Sequence, residues 1–211
     1  MTTGFIDNDI LLKLVAFQLF EDGIATLGLA PDSLRVLPAA RFMLLSRLNR
    51  QEYPQETLEK AITFLSNCQT IPTRQLPSDK DIPSEYKQLA PFRQIDPGEA
   101  DLIVATANTT DFLLLSGDKR CFKALPAIPS PIYARLQGKA ICLEQIILKL
   151  IDVLGFEEVC ARIKPAVHQD EAIYLCFGYS RSAPESQVRE ALQSCINEIN
   201  IAAPGLLVKL P

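Results

Sequence analysis

Apolar positions recur along the chain at two spacings. Helical spacing predicts a first helix from Asn8 to about Gly23, with Ile10, Leu11, Leu14, Val15 and Leu19 facing a core. It predicts others over Ala39–Leu48 (Phe42, Leu45, Leu48) and up to Cys68 (Leu58, Ala61, Ile62, Leu65). Further along, helices are expected over Glu144–Leu154 (Ile146, Ile147, Leu150, Ile151, Leu154) and Phe156–Ile163. The clearest stripe follows a Ser182/Glu185 capping box and carries Val188, Ala191, Leu192, Cys195, Ile196 and Ile199. Short unbroken apolar runs read instead as buried strands: Gly4–Ile6, Leu34–Leu37, Phe112–Leu115 and Lys139–Leu143.

Between these lie weaker elements. A second short helix is expected over Gly23–Gly28. Gln69–Pro91 reads as an irregular connection with one helical turn at Ser84–Leu89, and Pro126, Pro129 and Pro131 as a loop. The period of Ala172–Phe177 leaves strand and helix open. Strands alternating with helices give an α/β fold: a mainly parallel, four- or five-stranded sheet sandwiched by helices. Residues 1–144 are expected to form this domain, and residues 145–211 a helical C-terminal extension.

The pattern places chemistry at strand ends. The run Asp96-Pro97-Gly98-Glu99 opens a helix, with Asp96 as N-cap, Pro97 at the first helical position and Glu99 as the reciprocal capping partner. The next strand, Phe112–Leu115, ends in Ser116-Gly117-Asp118. The first strand ends in Asp7-Asn8-Asp9. Sites in parallel α/β sheets lie just beyond the carboxyl ends of the strands. Acidic residues at two such ends, with Asp101 on the intervening helix, point to a divalent cation held by carboxylates.

Composition narrows this further. Hydrophobic residues make up 48% of the 211, enough for a full core. No apolar run approaches the roughly 20 residues that span a bilayer, and Met1–Ile6 lacks the features of a signal peptide. The six cysteines form no C-x-x-C pair, and the chain has a single histidine, His168, in a polar stretch. They read as reduced thiols of a cytoplasmic protein rather than zinc ligands. A formal charge of −4 gives no general attraction to nucleic acid, so any such contact needs a local basic surface. Between Ser33 and Arg74 basic residues outnumber acidic ones, which makes that stretch the best local candidate for an RNA groove.

FIDNDILLKL near the N-terminus and GEADLIVATANTTDFLLLSGDKR in the middle together resemble the PIN domain, a family of metal-dependent ribonucleases that includes toxins of bacterial toxin–antitoxin pairs. The resemblance covers about Thr3 to Glu144. It implies that Asp7, Asp101 and Asp118 are catalytic and hold Mg²⁺ or Mn²⁺, with Glu99, Asn8 and Ser116 in support. These three aspartates should then converge on one point. Lys119 and Arg120 are the expected phosphate ligands. The partners it implies are RNA and a protein such as an antitoxin; a homodimer is expected on the general frequency of symmetric dimers alone, and no membrane partner is expected.

One position departs from the family. Where a further acidic residue is usual on the helix after the second strand, this chain has Arg41-Phe42-Met43. Arg41 is then a candidate fixed cation in the site. The departure favours a rival reading, a degenerate PIN-like module that binds or regulates without cleaving. A third reading is an unrelated α/β protein in which these aspartates are ordinary caps and turns.

Overall fold

The sheet has five strands, all parallel, in the order β3-β2-β1-β4-β5. The computed structural model describes residues 1–50, 55–71, 84–178 and 183–210, without the side chains of 47–50 and 55. The strands are β1 Thr3–Ile6, β2 Leu34–Val36, β3 Gln69–Thr70, β4 Phe112–Ser116 and β5 Ala140–Cys142. Four were expected. The two-residue β3 was not, because Gln69 and Thr70 are polar and exposed at the sheet edge. In the centre, Ile6 of β1 stands opposite Val36 of β2 and Leu115 of β4.

Among the described residues twelve α-helices accompany the sheet: α1 Asn8–Ala16, α2 Phe20–Thr26, α3 Ala40–Arg50, α4 Gln55–Ser66, α5 Ser84–Leu89, α6 Pro97–Ala105, α7 Lys119–Ala124, α8 Ser130–Leu136, α9 Leu143–Leu154, α10 Phe156–Ile163, α11 Glu171–Phe177 and α12 Glu185–Ala202. Several depart from the sequence reading or settle what it left open. The first helix stops at Ala16, because Gln18 turns left-handed (φ 56°) and restarts the chain as α2, so Leu19 and Phe20 pack from a second helix. Pro131 does not break the chain; it sits in the first turn of α8, where its missing N–H costs nothing. The open segment 172–177 is helical, capped by Asp170, whose Oδ1 accepts the Ile173 amide at 2.8 Å. Ser182 and Pro72–Pro83 lie outside the described residues.

Alternation along the strands fills two cores. Ile6, Val36, Leu115 and Ile141 face one side, packed by α1, α2, α4, α9 and α10. Phe5, Phe112, Leu114 and Ala140 face the other, packed by α6, α7 and α8. The helices after residue 143 share both cores: Val188 and Leu192 of α12 join the first, Ile196 and Ile199 the second. Beyond α12 the chain returns to the sheet, where Leu207 bridges Ala140 of β5 in parallel. No helix among the described residues is long and apolar enough to cross a membrane.

The topology reverses between β1 and β4. From β1 the chain moves outward through β2 and β3, then returns to add β4 and β5 on the other side. Such a reversal opens a crevice at the carboxyl ends of the two central strands.

Candidate functional site

That crevice is an open cleft of about 520 Å³. It is lined by Asp7 and Asp9 after β1, Asp118 after β4, and Asp96 and Glu99 at the start of α6. Lys13 and Arg120 supply the cations in its wall, and Asn8 and Met43 also line it. Five carboxylates therefore face two cations.

The ends of β1 and β4 are joined directly. The Asp7 amide donates to the Leu115 carbonyl at 2.9 Å, and the Ser116 hydroxyl donates to Asp7 Oδ2 at 3.5 Å. The same hydroxyl accepts the Asp118 amide at 3.2 Å, so Ser116 positions both aspartates. Asp7 is 7% exposed. Burial, then the charges of Asp9 and Asp96, raise its pKa from 3.8 to about 6, although the Asn8 and Asp9 amides pull it back in part.

Glu99 is still more strongly displaced. It is 4% exposed, and its pKa rises from 4.5 to about 8. Burial is the main cause, joined by Asp96, Asp118 and Asp7, against a lowering hydrogen bond from the Asp96 amide. Its Oε1 and the Oδ1 of Asn8 are buried without a hydrogen-bond partner. The Cys121 thiol is pushed well above its usual range, first by burial and then by the Glu99 carboxyl.

Asp118 is the opposite case. Burial pushes its carboxyl up, but the side chain, backbone amide and charge of Arg120 outweigh this and hold it below 3.8. Arg120 Nη2 lies 2.7 Å from Oδ2, and its backbone amide 2.7 Å from Oδ1. Asp9 is paired as well: Lys13 holds it at 2.5 Å and Asp170 at 2.7 Å, joining the cleft to the cap of α11. Asp9 also lies over Gly117, where an added Cβ would come within 2.6 Å of its Oδ2.

Three expected site residues lie elsewhere. Asp101 is not in the cleft wall. Two helical positions turn a side chain by about 200°, so Glu99 and Asp101 leave α6 on different sides. The Oδ1 of Asp101 is buried without a partner, and burial followed by Asp96 raises its pKa. Arg41 is exposed outside the cleft, and its neighbour Met43 lines the wall and accepts Asn8 Nδ2 at 3.2 Å. Lys119 turns away to Glu144 on α9, 2.5 Å distant and with a side chain 3% exposed. Lys13, Asp96 and Met43 were missed as cleft residues. The Asp9/Lys13 spacing of four was the available signal for the first.

As these side chains stand, no three acidic, histidine or cysteine groups among the described residues are gathered to hold a metal ion. The donor chemistry nevertheless suits a hard cation: carboxylate oxygens, two orphaned buried oxygens and, among the described residues, no cysteine or histidine in the wall. Comparison of the chain with models of protein families, with curated proteins and with solved structures found no match.

Proposed function

We propose that this protein is a PIN-like endoribonuclease that hydrolyses RNA phosphodiester bonds with Mg²⁺ or Mn²⁺. The observation that carries the reading is the pair Asp7 and Glu99. These are two buried carboxyls at one cleft, both raised in pKa by burial and by neighbouring acids, with a Glu99 oxygen unpartnered. A divalent cation would relieve this. Asp7 and Glu99 would hold it, with Asp118 once released from Arg120, and with Asn8 Oδ1 adjacent. When bound, such an ion activates water and neutralises charge on the phosphate. The chain's own residues do the rest. Ser116 fixes Asp7 and Asp118 relative to one another, Arg120 passes from Asp118 to a phosphate oxygen, and Lys13 holds Asp9 out of the centre.

The second reading is a degenerate module that binds without cleaving. Met43 favours it, an apolar thioether in the cleft wall on the helix where the resemblance expects an acid.

The test is cleavage of a labelled single-stranded RNA, and of DNA of the same sequence, with Mn²⁺, Mg²⁺ or EDTA, by wild type and Asp118→Asn. Metal-dependent cutting of RNA that the variant loses supports the nuclease. RNA retention without cutting in any metal supports the module.

A further inference from the structure

Lys13 leaves α1 into the cleft wall, and its ammonium stands between two carboxylates, 2.5 Å from Asp9 Oδ2 and 2.7 Å from Asp170 Oδ2. Asp9 follows β1 and lines the cleft. Asp170 comes from the C-terminal helices, where its other oxygen caps α11. The Lys13 and Asp170 side chains are 13% and 12% exposed, so this is not a solvated surface pair. The group is also pressed against the turn after β4. A Cβ added at Gly117 would come within 2.6 Å of Asp9 Oδ2 and 3.3 Å of Lys13 Nζ. The ammonium is therefore fixed beside the turn that carries Asp118. The cleft thus holds oxygens in two states. Those of Asp9 and Asp170 already have a cation between them, whereas Glu99 Oε1 and Asn8 Oδ1 are buried without a partner.

From this geometry we propose that the Lys13 ammonium is a built-in cation, occupying in place of a divalent ion a site made by Asp9 and Asp170. A divalent ion takes carboxylate oxygens at about 2.0–2.6 Å, so the point held by Lys13 Nζ is one that such an ion could itself fill. The cleft then needs one divalent ion rather than the two that many phosphodiester-cleaving sites use. An ammonium has three N–H donors. Two go to Asp9 and Asp170, and the third is left for a phosphate oxygen in the open cleft. Asp170 orients the ammonium, which gives the C-terminal helices a part in the site. The role toward phosphate rests on the reading of the cleft as a nuclease site; the exchange of ammonium for metal ion does not.

The experiment counts Mn²⁺ bound per full chain by equilibrium dialysis at millimolar free Mn²⁺. Lys13→Ala empties the space between Asp9 and Asp170 and should hold one ion more than wild type. Adding Asp170→Asn, whose amide oxygen can still cap α11, should remove that extra ion. Lys13→Arg keeps the charge and should not gain it. Because Lys13→Ala leaves two carboxylates without their cation, its thermal midpoint is also measured with and without Mn²⁺, and the ion should raise it more than it raises that of wild type. The proposal is overturned if Lys13→Ala gains no ion and no extra Mn²⁺ stabilisation. It is also overturned if the extra ion persists with Asp170→Asn, or if Lys13→Arg gains it too. The ion count of wild type itself tests the Asp7–Glu99 reading. A wild type that binds none, with the gain still seen in Lys13→Ala, would remove that reading and uphold Lys13 as the cation, so the two claims fail separately.

Discussion

Asp96 and Glu99 hold one another across the first turn of α6. The Glu99 amide donates to Asp96 Oδ1 at 2.8 Å and the Asp96 amide donates to Glu99 Oε2 at 2.7 Å. This reciprocal cap uses one Glu99 oxygen and leaves Oε1 buried and unpaired at the cleft. One carboxyl thereby both starts a helix and stands ready for a ligand.

The raised carboxyls make stability depend on pH. Folding lifts Asp7 from 3.8 to about 6 and Glu99 from 4.5 to about 8, so the folded chain binds more protons than the unfolded one across that window. Stability from these groups is full below about pH 4 and is lost as pH rises through about 6 and then about 8, a change on the order of a few kcal/mol. Thermal melts without divalent cations should show a lower midpoint at pH 8 than at pH 5. Asp7→Asn and Glu99→Gln should each flatten that slope.

Arg120 competes for Asp118. Replacing it, Arg120→Gln, removes the fork on Asp118 and frees a carboxylate for the cleft. Titration calorimetry should show Mn²⁺ bound several-fold more tightly, while KM for RNA rises because a phosphate contact is gone.

Met43 occupies the wall where the resemblance expects an acid. Met43→Glu adds an oxygen ligand and should tighten Mn²⁺ by about tenfold. It also removes the thioether that Asn8 Nδ2 contacts, so thermal stability should fall slightly in the absence of metal.

Lys119 acts in the interior rather than on a phosphate. Lys119→Ala leaves Glu144 buried and unpaired and should cost about 3 kcal/mol in urea unfolding. Adding Glu144→Gln should recover a large part of that loss, because the stranded charge is gone.

The sheet was readable because its central strands are short apolar runs bounded by Asp, Gly and Pro, and buried parallel strands require such runs. The cap of α6 was readable from Asp96, Pro97 and Glu99 alone. The face of the helix was not. Asp101 and Glu99 are equally acidic and two residues apart, and only packing decides that Glu99 turns to the cleft. Lys119 and Arg120 are likewise adjacent and alike in charge, yet one is drawn to Glu144 from a distant helix and the other to Asp118. Glu144 lies far from Lys119 in sequence, so local pattern carries no trace of that pairing. Gln18 broke the first helix without Gly or Pro, and the tertiary contact that receives its carbonyl, Arg162 Nη1 at 3.3 Å, comes from α10.

The most direct test of the cleft is single-turnover cleavage of a labelled RNA in Mn²⁺ by Glu99→Gln and Asp101→Asn, prepared alongside wild type. Glu99→Gln should lose cleavage by two orders of magnitude or more, roughly the effect of removing one group that stabilises charge developing in the reaction. Asp101→Asn should stay within a few-fold of wild type. Loss in Asp101→Asn with activity kept in Glu99→Gln would contradict the assignment of the cleft.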